Sequence, residues 1–468
     1  MTEPTLLSTQ TLLAYLVAAG FFIVGLKRLN SPATARLGNT ISGIGMAIAV
    51  IATLLDKKVV TYGTIAAGLV VGGAVGLFMA RRAKMTEMPQ LVALLHGIGS
   101  LAALIVAGAE YIRVAQAHDQ MALASGIATQ VSIAIGGFTF SGSIIAFAKL
   151  HEIMTGKPIL FPGMRFVTGL TLLGIIVFGY AQVHAFAAPL DVFYGAVGLS
   201  LLLGVLFVLP IGGADMPVVI SVLNSSAGVA AAMVGFVIQN PILILSGSLI
   251  GSAGIILSQI MCRAMNRSLT NVLFSAFGTA TAKSAKSSAG LTVKSITPED
   301  AAMQLAYAQL VIVVPGYGLA VAQAQHLVRE LGDLIEKRGG EVRYAVHPVA
   351  GRMPGHMNVV LAEANVAYDK LFEMEAINDE FDRADVALVV GANDVVNPAA
   401  RTDPTSPIYG MPILNADHAK SCIVLKRGMS AGFAGIENEL FYAGKTWMLF
   451  GDAKASLTKL VAEIKGIA

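Results

Sequence analysis

The sequence predicts a fold in two parts: a membrane α-helical bundle of about nine transmembrane helices, followed by a doubly wound, Rossmann-like α/β domain. The first observation is the distribution of charge, because Lys, Arg, Asp and Glu occupy 22 of the first 270 positions and 39 of the last 198. The second is that 55% of all residues are hydrophobic and only 13% are charged, about half the charged share of a typical soluble domain. Together they exclude a single soluble globule, a wholly embedded protein and a disordered chain.

Nine apolar segments without Lys, Arg, Asp or Glu account for most of residues 1–265. Most have the ~17–25 residues that a helix needs to cross ~30 Å of hydrocarbon, and the two shortest need their flanking residues. No Lys or Arg precedes the first segment, so we expect a transmembrane helix there rather than a signal peptide. The segments are Leu12–Leu26, Asn39–Leu55, Val59–Ala80, Leu91–Ala109, Ile127–Ala148, Phe166–Ala181, Val192–Leu209, Pro217–Ile238 and Ile242–Met261.

Loop charges and small residues add orientation and packing to this picture. The loops after the first, third and fifth segments contain nine Lys and Arg residues, against three on the opposite side. Since Lys and Arg favour cytoplasmic loops, we expect the amino terminus outside and the charged carboxyl-terminal part in the cytoplasm. Glycines four residues apart predict close helix packing, at Gly68, Gly72 and Gly76 and again at Gly247 and Gly251.

A few polar side chains lie deep inside the predicted spans. His96 is the only histidine well inside one, and the ordinary imidazole pKa of ~6.5 allows proton uptake and release near neutrality. Asn224 interrupts the eighth span, while Ser141 and Ser143 lie on the fifth. Each also has a structural interpretation, as a hydrogen-bond partner between packed helices. Together they could line a narrow path for protons or water.

A linker and a nucleotide-binding pattern follow the bundle. Residues 266–293 contain a run of Thr, Ala, Ser and Lys without apolar periodicity, which predicts a linker between a domain at 1–265 and a domain at 294–468. In the second domain, strand Leu310–Val314 leads into a glycine turn, a helix ending near Arg338 and a strand at Glu341–Val346. This context predicts that the turn binds a dinucleotide pyrophosphate. The candidate residues are Gly316, Tyr317, Gly318, Leu319, Ala320 and Val321.

The ends of the strands indicate which dinucleotide is bound. A site for NAD usually has an acid after the second strand, to bind the ribose 2′-hydroxyl, and here the strand runs into Val346 and His347. Strand Ser421–Leu425 instead ends in Lys426 and Arg427, which could pair with a 2′-phosphate. The pattern favours NADP(H), although a solvated basic pair would have the same sequence.

Two further loops carry candidate binding residues. Strand Val386–Val390 opens into a turn, and another loop is rich in glycine and proline. Two cysteines without metal spacing predict no metal site, and a slightly acidic soluble part predicts no nucleic-acid binding. The candidates in these loops are Gly391, Asn393, Asp394 and Arg352.

The chain as a whole is similar to one family, the beta subunit of proton-translocating NAD(P) transhydrogenase. The similarity covers essentially the full length, and its motifs are long enough to be specific. They are Gly213–Pro217, Leu223–Ser225, Val314–Gly318, His347–Arg352, Pro354–Asn358, Gly391–Asp394, Asn397–Ala400, Lys426-Arg427 and Phe450–Ala455.

The resemblance implies an enzyme subunit that binds NADP(H) and works with a separate NAD(H)-binding alpha subunit. Hydride would pass between NADH and NADP⁺ while protons move inward across the membrane. The resemblance also implies a multi-pass protein of a bacterial-type inner (cytoplasmic) membrane, in contact with lipid and assembled as a homodimer of the alpha–beta unit.

The resemblance also assigns roles to particular residues. The glycine turn, Arg352, Asp394 and the Lys426-Arg427 pair would surround the cofactor. His96 and Asn224 match positions implicated in proton passage, to which Ser141 is added, and Asp215 falls in a cytoplasmic loop near the domain junction. One departure is Phe433, where the family's Tyr is expected, so any contact of that hydroxyl is missing.

An alternative is an ion channel or transporter gated by a nucleotide-sensing Rossmann domain. It would usually require a ribose-binding acid after the second strand and an ion-coordinating segment in the membrane, and the sequence shows neither. Direct hydride transfer between two nicotinamides requires only alignment and exclusion of water, which agrees with the absence of a nucleophile motif. The single dinucleotide pattern places the NAD(H) site on another polypeptide.

Overall fold

The computed structural model describes residues 8–55, 62–117, 121–184, 190–273, 292–353, 355–432 and 434–467. The chain divides into two compact units. The first comprises Met1–Pro210 and Ile220–Ile256, and the second comprises Ile211–Val219 and Leu257–Ala468. The predicted linker falls largely on residues 274–291, which lie outside the described ranges, so the boundaries 1–265, 266–293 and 294–468 stay a prediction.

Nine helices among the described residues are long and apolar enough to cross a membrane, as the sequence predicts. Their mean hydropathies are 1.7 to 2.1, which is typical of lipid-embedded helices. The helices are α1 (Thr9–Leu29), α2 (Pro32–Leu54), α3 (Tyr62–Arg82), α4 (Met88–Gln116), α5 (Leu123–Leu150), α6 (Met164–His184), α7 (Leu190–Val208), α8 (Met216–Val237) and α9 (Pro241–Ala264).

Several helices extend past the apolar segments that predicted them. α2 begins at Pro32 and therefore includes the charged Arg36. α4 continues to Gln116, beyond Arg113, whose guanidinium lies 2.5 Å from the Glu110 carboxylate one turn earlier. Polar residues remain helical at the ends because the helical backbone satisfies its own hydrogen bonds while long side chains reach the interface. Apolar segments therefore mark the lipid-crossing part of each helix rather than its full length.

Glycines set the distance between α8 and α9. A Cβ built on Gly228 of α8 would lie 2.5 Å from the backbone nitrogen of Gly251 on α9, so only glycine permits this approach. The packing predicted for the second glycine row is confirmed. The first row differs, because no atom of the described residues comes within 4 Å of a Cβ built on Gly68, Gly72 or Gly76 of α3.

The described residues of the second unit contain a six-stranded parallel sheet in the order β3-β2-β1-β4-β5-β6. β1 lies in the middle of the sheet and pairs with both β2 and β4. The strands follow one another in sequence from β1 through β2 to β3 on one side, and from β4 through β5 to β6 on the other. This is the predicted doubly wound arrangement, and the fold class is confirmed. The strands are β1 (Leu310–Pro315), β2 (Glu341–Val346), β3 (Leu371–Glu373), β4 (Val386–Val390), β5 (Ser421–Lys426) and β6 (Thr446–Phe450).

One predicted helix of the nucleotide domain is divided in two. The chain after the glycine turn forms a short helix at Tyr317–Val321 and a longer one at Gln325–Lys337. Between them Gln323 has a φ of +49°, a left-handed conformation that ends regular helix. The helices of the second unit are α10 (Leu269–Leu273), α11 (Pro298–Ala306), α12 (Tyr317–Val321), α13 (Gln325–Lys337), α14 (His356–Glu363), α15 (Met374–Ile377), α16 (Ala399–Thr402) and α17 (Ala453–Gly466).

The core of this unit lies along the central strands. All residues of β1 and β4 are buried, as expected for parallel strands covered on both faces. Ile312 and Val389 belong to one hydrophobic cluster with Phe381, Leu414 and Met448, all of them nearly inaccessible to solvent. This packing fixes the positions of the carboxyl ends of β1 and β4, from which the candidate binding loops emerge.

Candidate functional site

Two turns meet at the centre of the sheet, where β1 and β4 end. The backbone nitrogen of Gly316 donates to the carbonyl oxygen of Val390 at 2.9 Å, and that of Gly318 donates to the carbonyl oxygen of Gly391 at 3.0 Å. In doubly wound sheets, ligands bind at this reversal of strand order, outside the carboxyl ends of the strands. The structure therefore brings the predicted glycine turn and the predicted Gly391 turn together.

The turns are so close that side chains do not fit between them. A Cβ built on Gly318 would lie 2.8 Å from the Cα of Gly391, and one built on Gly316 would overlap the turn after β4. Gly391 itself has a φ of +72°, which favours glycine. The glycine pattern thus serves the close contact between the two turns. Of the other candidates in this segment, Leu319 and Ala320 are buried in the core and Val321 is exposed.

A second segment, described at residues 428–432 and 434–438, lies against the residues that follow β4. The Asp394 carboxylate accepts a hydrogen bond from the backbone nitrogen of Ala434 at 2.9 Å. The Asn438 amide donates to the backbone and side-chain oxygens of Asn393, both at 3.0 Å. The sequence reasoning noted residues 432–435 of this segment only for the departure at Phe433, and it missed Asn438. Phe433 lies outside the described residues.

The two basic candidates have different environments. Lys426 is the last residue of β5, and its Nζ donates to the carbonyl oxygen of Ser430 at 2.6 Å. Burial lowers the pKa of Lys426 below its ordinary value, and the charge of Asp394 partly opposes this. Arg427 is exposed. Lys426 therefore holds the neighbouring loop and faces Asp394, while Arg427 presents its guanidinium to solvent at the same edge of the sheet.

Arg352 lies beside Tyr317 of the glycine turn. Its guanidinium carbon is 4.3 Å from the centre of the Tyr317 ring, a cation–π contact. The backbone nitrogen of Arg352 donates to Nδ1 of His356 at 3.0 Å, and the His356 ring packs beside Tyr317. His356 is buried, and the sequence reasoning assigned it no role. The three residues form one cluster between the loops that follow β1 and β2.

His347 occupies the place after β2 where a ribose-binding acid would be expected. Val349 donates its backbone N–H to Nδ1 of His347 at 3.2 Å, so Nε2 carries the hydrogen and donates to the Pro412 carbonyl oxygen at 2.8 Å. Only 1% of His347 is exposed, and burial lowers its pKa to about 4. His347 is therefore a neutral residue that joins two loops.

The polar candidates of the bundle are spread over several helices. Ser141 on α5 donates to the carbonyl oxygen of Leu201 on α7 at 2.7 Å. His96 on α4 and Asn224 on α8 are half-buried, and no hydrogen-bond partner among the described residues lies within reach of either side chain. Asp215 precedes α8 and pairs with Arg267 at 2.9 Å. Among the residues that the structure describes, no hydrogen bond joins any two of these four.

Three buried hydroxyls line the contact between α4 and α5. Ser100, Thr139 and Ser143 are completely buried, and within the described part of the chain their hydroxyls lack hydrogen-bond partners. Ser100 lies one helical turn from His96, and a Cβ built on Gly97 would be 3.1 Å from the Cβ of Ser143. Buried hydroxyls of this kind commonly bind ordered water. The sequence reasoning noted Ser143 and missed the other two.

Comparison with known proteins decides the family. A family model described as NAD(P) transhydrogenase beta subunit matches residues 11–463. The chain belongs to this family. It is 48% identical over 460 residues to two curated relatives named NAD(P) transhydrogenase subunit beta, both from Rhodospirillum rubrum, and the match covers 96% of this chain and 98% of theirs. The resemblance drawn from the motifs is thereby confirmed, and the chain is a subunit of a transhydrogenase.

Burial of His347 predicts a pH-dependent stability. Its pKa is about 4 in the folded chain against an ordinary 6.5, so the unfolded state takes up a proton first as the pH falls. The contribution of neutral His347 to the free energy of unfolding is complete above pH 6.5. It is lost progressively as the pH falls toward 4, and the loss is on the order of 3 kcal/mol. We expect His347→Gln to remove most of this slope in denaturant titrations followed by fluorescence of Trp447, the single tryptophan.

The matched control is His326→Gln, because His326 is exposed in the same unit. It should retain the wild-type dependence of stability on pH. An unchanged slope in the His347→Gln chain would contradict the assignment of His347 as the neutral buried residue.

Proposed function

We propose that this chain is the NADP(H)-binding, membrane-spanning subunit of an enzyme that transfers hydride between NADH and NADP⁺ and couples this to inward proton translocation. The observation that carries the proposal is the meeting of the Gly316–Gly318 and Gly391–Asp394 turns at the reversal point of a parallel sheet. Cationic side chains at the same edge supply the charge that a phosphorylated dinucleotide requires.

The residues present fit NADP(H). The glycine turn lies between the end of β1 and the start of α12, the position at which a strand–turn–helix unit binds a pyrophosphate. In NAD sites an acid after the second strand binds the free ribose 2′-hydroxyl. Here the neutral His347 takes that position, so no acid favours a free 2′-hydroxyl over a 2′-phosphate. Arg427 is exposed at the end of β5, and a guanidinium can bind a 2′-phosphate through two parallel hydrogen bonds. Arg352 adds a further cation beside Tyr317.

The nicotinamide supplies the hydride chemistry when the cofactor is bound, and this chain binds, orients and shields it. The segment Gly428–Asn438 is held over Asn393 and Asp394 by two sets of hydrogen bonds. Such a cover excludes water and fixes the orientation of a ligand, which suffices for a reaction that needs no nucleophile. The chain carries one dinucleotide pattern, so the NAD(H) site belongs to an alpha subunit.

The bundle provides the proton path of this proposal. His96, Asn224, Ser141 and Asp215 are the titratable or hydrogen-bonding groups assigned to it. The buried hydroxyls between α4 and α5 continue from His96 and suit a chain of ordered water. A proton that crosses the membrane potential releases ~2.3 kcal/mol per 100 mV, which is enough to shift a hydride equilibrium.

The cellular setting follows from the same proposal. The amino terminus lies outside and the nucleotide domain in the cytoplasm of a bacterial-type inner membrane, because positive loop charges favour the inner side. The chain is surrounded by lipid and assembles as a homodimer of the alpha–beta unit. Residues 1–265 form the proton-translocating domain, 266–293 the linker and 294–468 the NADP(H) domain.

The experiment that tests the function is reconstitution with an NAD(H)-binding alpha subunit in liposomes. The purified chain alone should bind NADPH without hydride transfer, and the pair should transfer hydride from NADH to NADP⁺ and move protons in step, measured with a pH-sensitive dye. Ion conduction by the chain alone, with no hydride transfer by the pair, would instead favour the gated channel.

Arg427 should determine the preference for the 2′-phosphate. We expect Arg427→Ala to weaken NADPH binding about 10- to 100-fold, as loss of a charge-assisted pair does, and to leave the weaker binding of NADH nearly unchanged. Isothermal titration of both cofactors measures the difference. The matched control is Lys445→Ala. Lys445 is an exposed cation just before β6, at the edge of the sheet opposite to that of Arg427. Equal losses for the two cofactors would show that Arg427 does not contact the 2′-phosphate.

His96 should be required for proton movement. We expect His96→Gln, which keeps hydrogen-bonding capacity and removes titration near neutrality, to abolish dye-detected proton translocation by the reconstituted pair. His151→Gln changes an exposed histidine just after α5 and should leave pumping intact. Normal pumping by His96→Gln would remove His96 from the proton path.

A further inference from the structure

The chain forms a defined cap where α9 ends. The backbone nitrogen of Arg267 donates to the carbonyl oxygen of Cys262 at 2.9 Å, and Asn266 has a φ of +49°. This is the left-handed turn that commonly closes a helix, and asparagine is one of the few residues besides glycine that tolerate it. The cap fixes the directions in which the side chains of residues 266 and 267 leave the helix.

Arg267 joins this cap to the start of α8. Its guanidinium donates to both carboxylate oxygens of Asp215, at 3.0 and 2.9 Å. Asp215 is 7% exposed, and burial raises its pKa while the charge of Arg267 opposes that rise. The Asp215 carboxylate is buried while the Arg267 side chain is 38% exposed, so breaking the pair is costly chiefly because it would leave a buried carboxylate charged and unpaired. The ends of α8 and α9 therefore keep a fixed relation here, and α8 also carries Asn224.

Asn266 contacts a different segment, Ser406–Met411. Its Nδ2 donates to the carbonyl oxygen of Tyr409 at 2.9 Å. The next residue, Gly410, has a φ of +76°, and a Cβ built on it would collide with the Asn266 amide. All of these residues belong to the second compact unit, which includes 211–219 and 257–468. We call Asn266, Arg267, Asp215, Tyr409 and Gly410 the α9 clamp.

The segment held by the clamp continues to the candidate nucleotide site. Gly410 donates its N–H to the carbonyl oxygen of Ala400 at 2.8 Å. Ala400 packs in one hydrophobic cluster with Ile408, Met411, Ile413 and Ile436, against which Ala434 is packed. The backbone nitrogen of Ala434 in turn donates to the Asp394 carboxylate at 2.9 Å. An uninterrupted series of hydrogen bonds and apolar contacts therefore runs from Asn266 to Asp394.

We propose that Asn266 is a positioning residue whose hydrogen bond to Tyr409 couples the end of α9 to the loop segment that covers Asp394. The inference rests on the proposed function, because it gives this contact the task of passing the state of the proton path to the NADP(H) site. Asn266 contacts no reacting group, so it acts through Gly410 and the hydrophobic cluster that contains Ile408 and Ile436. Coupling through a two-state contact of this kind changes the response of one site to the other.

The test uses the reconstituted alpha–beta enzyme in liposomes. Asn266→Gly keeps the left-handed turn and deletes the amide, and Asn266→Asp keeps the shape but cannot donate to a carbonyl. The readout is the ratio of hydride-transfer rates with and without an imposed proton gradient. We expect this stimulation ratio to fall about 2- to 10-fold in both variants, as loss of one hydrogen bond implies. NADPH affinity measured without a gradient should change by less than that.

The chain offers a matched control and a second variant. Asn365→Gly replaces another exposed asparagine in the left-handed conformation, with a φ of +57°, and should keep the wild-type ratio. Gly410→Ala introduces the colliding methyl group and should lower the ratio as well. The stimulation ratio of the double variant Asn266→Gly/Gly410→Ala should be no lower than the lower of the two single-variant ratios, because both changes break the same contact.

Two results would overturn the inference. One is a wild-type stimulation ratio in both Asn266 variants. The other is unchanged hydrogen–deuterium exchange of 406–411 and 434–436 in Asn266→Gly, since breaking the contact must expose those amides. The exchange measurement stands without enzymatic activity. A wild-type enzyme that fails to bind NADPH or to respond to a gradient would refute the proposed function, whereas unaltered exchange would refute the clamp alone.

Discussion

The nucleotide-binding end of this protein depends on the contact between two backbone turns at the centre of the sheet. Hydrogen bonds from Gly316 to Val390 and from Gly318 to Gly391 hold the turn after β1 against the turn after β4. No side chain fits between them, so the contact fixes where Tyr317 and Asp394 project. The loop that carries Arg352 and the end of β5, which carries Lys426, are then arranged around these fixed points. One close backbone approach thus organises all the candidate binding groups.

A different constraint governs the helical bundle, where backbones approach through small residues and polar groups are few. Gly228 and Gly251 bring α8 and α9 so close that the helices contact through backbone atoms. Dense packing of this kind leaves little room, which makes the three buried hydroxyls between α4 and α5 notable. A buried hydroxyl without a hydrogen-bond partner costs about 1–3 kcal/mol, and these three lack partners among the described residues, which agrees with a role in binding water.

The sequence reasoning performed best where the signal is local. Apolar segments located the nine long helices of the described residues, and short apolar runs next to glycine turns located the strands at 310, 341, 386, 421 and 446. It failed on β3, which has three residues, and on the helix after the glycine turn, which Gln323 interrupts. It also missed His356 and Asn438, because their partners are loop atoms that no periodic pattern reveals.

The sequence by itself determined the two-part architecture, the strand–turn–helix unit and the family, because hydrophobicity, periodicity and motif spacing are properties of neighbouring residues. The tertiary structure alone decided which groups meet. Ala434 bonds to Asp394 across 40 positions, and Asn266 bonds to Tyr409 across 143. Such pairs depend on how whole strands and helices pack, since a hydrogen bond forms only when packing brings donor and acceptor within about 3 Å.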